Sequence, residues 1–122
     1  MFTSIFIILA VLFVKHWYID FVNQTSEEVA GKGIYGQAHG VMHSIKHGVA
    51  TAILMFMFMR DFEFVVILGL IDFVVHYHVD WAKMKINAWR GYTIEQPQFW
   101  ALLGFDQLLH ALTYIMLVWM IV

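Results

Sequence analysis

Four mostly apolar stretches, at about 2–23, 36–59, 62–82 and 98–122, dominate this chain of 122 residues. Each is close to the roughly 20 residues an α-helix needs to cross the hydrocarbon core of a bilayer. In lipid a segment must satisfy its own backbone N–H and C=O groups, so each stretch is expected to be helical rather than extended. Composition agrees: 61% of the residues are hydrophobic and 13% charged, where soluble chains average about 45–50% and about 25%. Four crossings use roughly 80 residues and leave no room for a second, soluble domain. The expected fold is therefore an all-α membrane protein, a single transmembrane domain over 1–122 with four helices in an up-down bundle.

The connections carry their own signals. Between the first two stretches, Thr25 and Glu28 have the spacing of a capping box, with Gly31 and Gly33 as stops for one short interfacial turn. Arg60 and Asp61 mark a tight hairpin. The third connection, 83–97, mixes Lys83, Lys85 and Arg90 with Trp81, Trp89 and Tyr92, as expected of a segment lying among headgroups, and Pro97 opens the last helix. Lys32, Lys83, Lys85 and Arg90 lie on one face and Arg60 on the other, which puts both termini outside the cytoplasm. The first stretch lacks a basic n-region and a small-residue cleavage site, and reads as a retained helix rather than a signal peptide. A net charge of −2 gives no reason to expect nucleic acid as a partner. Gly36 and Gly40 form a GxxxG pair, a mark of close helix packing.

Against this background seven histidines stand out, equal in number to Lys and Arg together. There is no cysteine, so any metal must be held by nitrogen and oxygen. His16 and Asp20, His76 and Asp80, and Asp106 and His110 are each four residues apart, hence on one helical face. The second helix offers His39, His43 and His47 at the same spacing. With a rise of about 1.5 Å per residue, His16, His43, His76 and Asp106 fall about 10–12 Å from the cytoplasmic face. Asp20, His39 and Asp80 fall at about 5–6 Å, and Asp72, His47 and His110 at about 17–18 Å. One polar stack thus occupies one half of the membrane, and the other half is almost wholly apolar.

Ionisable groups inside a bilayer face the bundle interior and find partners there. Imidazole with carboxylate suits a divalent metal such as Zn, Fe or Mn. The candidate ligands His16, Asp20, His43, His47, His76, Asp80, Asp106 and His110 exceed the needs of one tetrahedral ion and would serve two, as in bundles that build such sites between facing helices. His39 and His78 are expected outside the site. Lys15 can snorkel to the interface. Lys46, set deeper, and Lys83 are candidate catalytic cations, and Asp72 a candidate general base.

His16-x-x-x-Asp20-Phe21-x-x-Gln24, Gly31-Lys32, a His at 43 or 47, His76-x-x-x-Asp80-x-x-Lys83 and Asp106-Gln107-x-x-His110 together resemble a family of small bacterial and phage membrane proteins catalogued as domain of unknown function 3307. The resemblance covers nearly the whole chain and implies a stand-alone membrane protein, but no activity. His43-Ser44 is also similar to the His-Ser segment of membrane-bound metal-dependent hydrolases induced by DNA damage, whose Asp-x-Asp-His run is missing here.

Three function classes follow. The leading one is a metal-dependent hydrolase acting on a lipid-borne or membrane-proximal substrate, in which the metal lowers the pKa of water. The second is a redox protein, either di-iron or a bis-histidine haem carrier. The third is an ion or proton pathway, or an assembly subunit in a larger oligomer.

Overall fold

The computed structural model describes residues 2–122 as five α-helices. They are α1 (Phe2–Trp17), α2 (Ser26–Lys32), α3 (Ala38–Met59), α4 (Phe62–Arg90) and α5 (Pro97–Trp119), and a π-helical turn, Tyr18–Val22, continues α1. There is no strand among the described residues. Four of the helices are long and apolar enough to cross a membrane, the first of them counted through the π turn.

Local chemistry sets the ends of these elements. Thr25 and Glu28 close a capping box at the start of α2: the Thr25 hydroxyl accepts from Glu28 N–H while the Glu28 carboxylate accepts from Thr25 N–H. Arg60 ends α3 in the left-handed region (φ 59°), and the Asp61 side chain accepts from Phe64 N–H to start α4. Pro97 stands in the first turn of α5, where its missing N–H costs nothing. The connection expected at 83–97 is shorter than that, because α4 runs on to Arg90 and stops at Gly91 (φ 69°). Lys83, Lys85 and Arg90 are good helix formers, and their charge marks where the helix leaves the apolar slab rather than where it ends.

Helices α1, α3, α4 and α5 close into a ring by packing α1 on α3, α3 on α4, α4 on α5, and α5 back on α1. The tightest seam is α3 against α4. A Cβ on Gly48 would lie 2.6 Å from the Gly69 carbonyl oxygen, and one on Gly69 would meet Gly48 equally closely. Small residues let two backbones approach in lipid, where no hydrophobic effect drives them together. The expected GxxxG pair works differently: Gly36 sits in a turn with φ 82° and nothing near its Cβ position, while Gly40 abuts Gly31 of α2. That contact lays α2 across the end of the bundle.

The half of the bundle nearer the chain termini is filled by Ile8, Leu12, Met55, Val65, Leu68, Leu117 and Val118, all buried. The polar side chains occupy the other half. Outward-facing aromatic residues Trp17, Tyr18, Tyr35, Trp89 and Trp100 gather toward that polar end and Trp119 stands at the opposite one, the arrangement that anchors a bundle at two interfaces.

Candidate metal centre

Five histidines from four helices meet inside the ring. His43, His47 and His76 have no exposed surface, and His16 and His110 have under a tenth. His47 and His76 stack at 3.7 Å between ring centroids, and His76 and His110 at 4.1 Å. Layers that the helical rise would set about two turns apart merge, since the His47 and Asp20 side chains meet at 2.8 Å.

Two groups of donor atoms come within 4.8 Å of one another: Asp20, His43, His47 and His76, and then His76, Asp80 and His110. In the first, Asp20 Oδ1 lies 2.8 Å from His47 Nε2, 2.9 Å from His43 Nε2 and 3.6 Å from His76 Nε2. In the second, Asp80 Oδ2 is 3.1 Å from His76 Nε2 and Asp80 Oδ1 is 3.1 Å from His110 Nε2. With metal–nitrogen bonds of about 2.0–2.1 Å, the edge of a tetrahedron is about 3.3 Å, so these spacings fit donors around an ion. An imidazole nitrogen has one lone pair, which means His76 can serve only one of the two groups at a time.

The histidine tautomers separate a metal from a plain hydrogen-bond cluster. His43 Nε2 and His76 Nε2 face each other at 3.3 Å while both point at carboxylates. Protons on both nitrogens would collide, and a proton on only one leaves the other ring a lone pair aimed at an anion. The Nδ1 atoms of His43 and His76 have no partner, and neither has Asp106 Oδ1. Buried polar atoms are nearly always paired. An ion among the Nε2 atoms removes the collision and gives the lone pairs a target. The two rings lack the acceptor that usually takes the second N–H of a metal-bound histidine; His76 is held instead by stacking between His47 and His110, and His43 by an edge-on contact with His47.

Charge balance points the same way. Asp20, Asp80 and Asp106 are three buried carboxylates. Lys32 Nζ lies 3.0 Å from Asp80 Oδ2, and Lys83 Nζ 3.2 Å from Asp106 Oδ2. With the histidines neutral, two lysines against three aspartates leave one negative charge to be met by a cation or by a proton on an imidazole, since an unpaired charge in a low-dielectric site is expensive.

The remaining sequence candidates fall around this centre in different ways. His16 stands outside both groups: its Nε2 faces Gln107 Oε1 at 2.8 Å and Asp20 Oδ2 at 3.1 Å, and its Nδ1 faces the Tyr114 hydroxyl at 2.9 Å. It orients Asp20. Asp106 approaches His110 Nε2 at 3.4 Å and accepts from the Gln107 amide. Asp72 lies away from the donors and accepts from Lys15 at 2.9 Å and Thr51 at 2.6 Å. Lys15 does not snorkel as expected. It is 7% exposed because the carboxylate of Asp72, the Tyr114 hydroxyl at 3.0 Å and His47 Nδ1 at 3.3 Å hold it inside. Lys46 is no deep cation either: it pairs with Glu28 at 2.5 Å and Asn23 at 3.1 Å near the bundle's end. His39 and His78 are exposed, and His78 meets the Tyr35 hydroxyl.

Sequence reasoning missed Lys32, Gln107, Thr51 and Tyr114. Lys32, which the sequence offers as a loop charge and as part of the Gly31-Lys32 pair, is buried, bonded to Gln24 and paired with Asp80. The π-helical turn was also unforeseen. Asn23 N–H bonds to Tyr18 C=O at 2.8 Å and Asp20 sits within that turn, and such turns recur at functional sites.

The family model described as protein of unknown function, DUF3307, matches residues 8–122. The chain belongs to this family. Every residue of the His/Asp cluster falls within the matched span of this DUF3307 member, from His16 to His110. No curated protein and no solved structure matches it.

Proposed function

We propose that this DUF3307 protein is an integral membrane metalloenzyme, a hydrolase acting on an ester or phosphoester of a lipid or of a substrate held at the membrane. The observation that carries the reading is the facing pair His43 Nε2 and His76 Nε2, set between Asp20 and Asp80. A divalent ion of Zn, Fe or Mn held there, or two, would lower the pKa of water toward neutrality and polarise a carbonyl or phosphoryl oxygen.

The chain's own residues have distinct tasks in this account. Asp20, His43 and His47 hold one ion; Asp80 and His110 hold the other; His76 completes one of the two. Asp106, whose buried Oδ1 is 3.4 Å from His110 Nε2, would accept a proton from water. Lys32 and Lys83 stabilise negative charge that develops on the substrate. Asp72, neutralised by Lys15 and remote from the donors, positions His47 through Lys15 rather than taking a proton. The apolar walls exclude bulk water and strengthen these interactions.

Space weighs against haem, because imidazoles stacked at 3.7 and 4.1 Å leave no gap for a macrocycle. A through-membrane pathway meets the buried plug of Leu12, Met55, Leu68 and Leu117. The basic end, with α2 and the α4–α5 connection, faces the cytoplasm by the excess of Lys and Arg there.

The test is activity against metal. Protein purified in detergent, stripped with a chelator and reloaded with Zn, Fe or Mn, is assayed for release of product from ester- and phosphate-bearing lipids. Turnover restored by metal and abolished in His76→Ala is expected. Full metal loading with no turnover on any such lipid would reduce the centre to a structural one.

A further inference from the structure

The grooves on the outside of the ring are not equivalent. One of about 250 Å³ runs along the seam between α4 and α5, lined by Val79, Ala82, Ile86, Leu102 and Phe105. Lys83 and Asp106 also line it. Asp106 is buried and its Oδ1 is 3.4 Å from His110 Nε2, so one carboxylate, paired with Lys83, separates the floor of this groove from the edge of the His/Asp cluster. The volume is below the roughly 300–1,000 Å³ of pockets that take a whole small molecule. It fits a segment of one hydrocarbon chain.

Charge decides what such a chain must carry. With every imidazole neutral, as a metal ligand must be, the three aspartates exceed the two lysines by one charge. Adding one divalent ion turns that deficit into a single positive excess, and a second ion increases it. A positive excess in hydrocarbon needs an anion, which a hydroxide or an incoming anionic ligand supplies. Lys83 stands where the groove meets the cluster, 3.2 Å from Asp106 Oδ2 and 4.0 Å from Asp80 Oδ1, with its side chain 13% exposed. An incoming anion would take over the pairing of Lys83 and leave Asp106 free to accept a proton.

We propose that the metal-loaded centre takes an anionic amphiphile, a phosphate on a single hydrocarbon chain, which enters sideways from the bilayer with its chain in the α4–α5 groove and its phosphate between Lys83 and the metal. This names the substrate class of the hydrolase reading and rests on it. Lys83 exchanges its pairing with Asp106 for the phosphate, so the ion pair closes the groove until a ligand arrives.

The test uses the full chain in detergent, reconstituted with Co(II) as a coloured stand-in and with metal content measured first. Dodecyl phosphate, inorganic phosphate and dodecanol are titrated separately, and the visible spectrum reports binding at the metal. Dodecyl phosphate is expected to bind about tenfold tighter than inorganic phosphate, a modest gain because the chain also finds partners in detergent. Dodecanol is expected to leave the spectrum unchanged. Ala82→Trp fills the groove, and is expected to abolish the advantage of dodecyl phosphate while inorganic phosphate binds as before. Lys83→Met is expected to weaken both phosphates. Equal affinity for the two phosphates, or an advantage that survives Ala82→Trp, overturns lateral entry. A groove filled by a second copy of the chain also overturns it, seen as a dimer that Ala82→Trp splits. Failure to hold any metal overturns the metal reading as well, whereas a loaded protein that ignores the alkyl chain overturns this proposal alone.

Discussion

Replacing His76 by alanine removes the one side chain common to both groups of donors. Binding free energies of structural zinc sites are about 10–16 kcal/mol for four ligands. One ligand therefore carries about 3 kcal/mol, and its loss weakens binding by on the order of a hundredfold. Because His76 has no exposed surface, the truncation also opens a void and strips Asp80 Oδ2 of its imidazole partner. Large-to-small changes in a core cost about 2–5 kcal/mol, so folding needs a separate readout. His76→Gln keeps most of the volume and a polar tip and serves as the second variant. Affinity is measured by competition with a coloured chelator in detergent, and the fold by far-UV circular dichroism during heating. Both variants are expected to lose metal, with the glutamine variant melting close to the wild type. A folded His76→Gln protein with wild-type stoichiometry and affinity would refute the reasoning. His16→Ala, outside the donor groups but against Asp20, is expected to cost only about tenfold, the scale of a lost orienting contact.

Three further outcomes follow from the packing and charges. Lys15→Met leaves Asp72 buried without its cation and is expected to destabilise by about 3–5 kcal/mol; the double variant with Asp72→Leu should recover most of that in thermal unfolding, and equal loss in both would deny the coupling. Gly48→Val forces α3 from α4 at the 2.6 Å approach and is expected to cost about 1–3 kcal/mol or more, while Gly104→Ala, with open space around it, should leave the melting temperature unchanged or raised. Glu28 at the bundle's end is buried, which alone would raise its pKa, but Lys46 and the Thr25 N–H outweigh this and hold it below 4.5. A depressed carboxylate pKa gives stability that is present above the unfolded value and lost as pH falls through the folded one. Protection of α2 against hydrogen exchange should accordingly fall on acidification below about pH 4.5, and Glu28→Gln should have low protection at all pH values; a wild-type profile in that variant would contradict the pairing.

The four apolar stretches made the helical class legible because the bilayer leaves a chain so few options. The alternation of histidine and aspartate at spacing four likewise placed the polar cluster on inward faces. Depth arithmetic separated layers that the structure merges, since a rise per residue locates a Cα and says nothing of how far an imidazole reaches. His47 and His110, about two turns from Asp20 and Asp80 in that arithmetic, lie within 2.8 and 3.1 Å of them. Lys15 and Lys32 were misjudged for one reason: a long cationic side chain goes wherever a carboxylate is, and which carboxylate faces it depends on how the helices are rotated against each other. The π-helical turn at Asp20 has no residue signature in the sequence, and the close approach of Gly48 to Gly69 joins two isolated glycines that no spacing rule connects.

X-ray absorption at the metal edge, on protein purified from membranes, tests the central claim most directly, since it reports the element and its donors together. The account predicts Zn, Fe or Mn at one or two ions per chain, in a shell of nitrogen and oxygen at about 2.0–2.2 Å with the outer-shell pattern of several imidazoles. Protein that carries none of these metals after purification and takes up none on reconstitution, or a bound ion surrounded by water without imidazole, would contradict it.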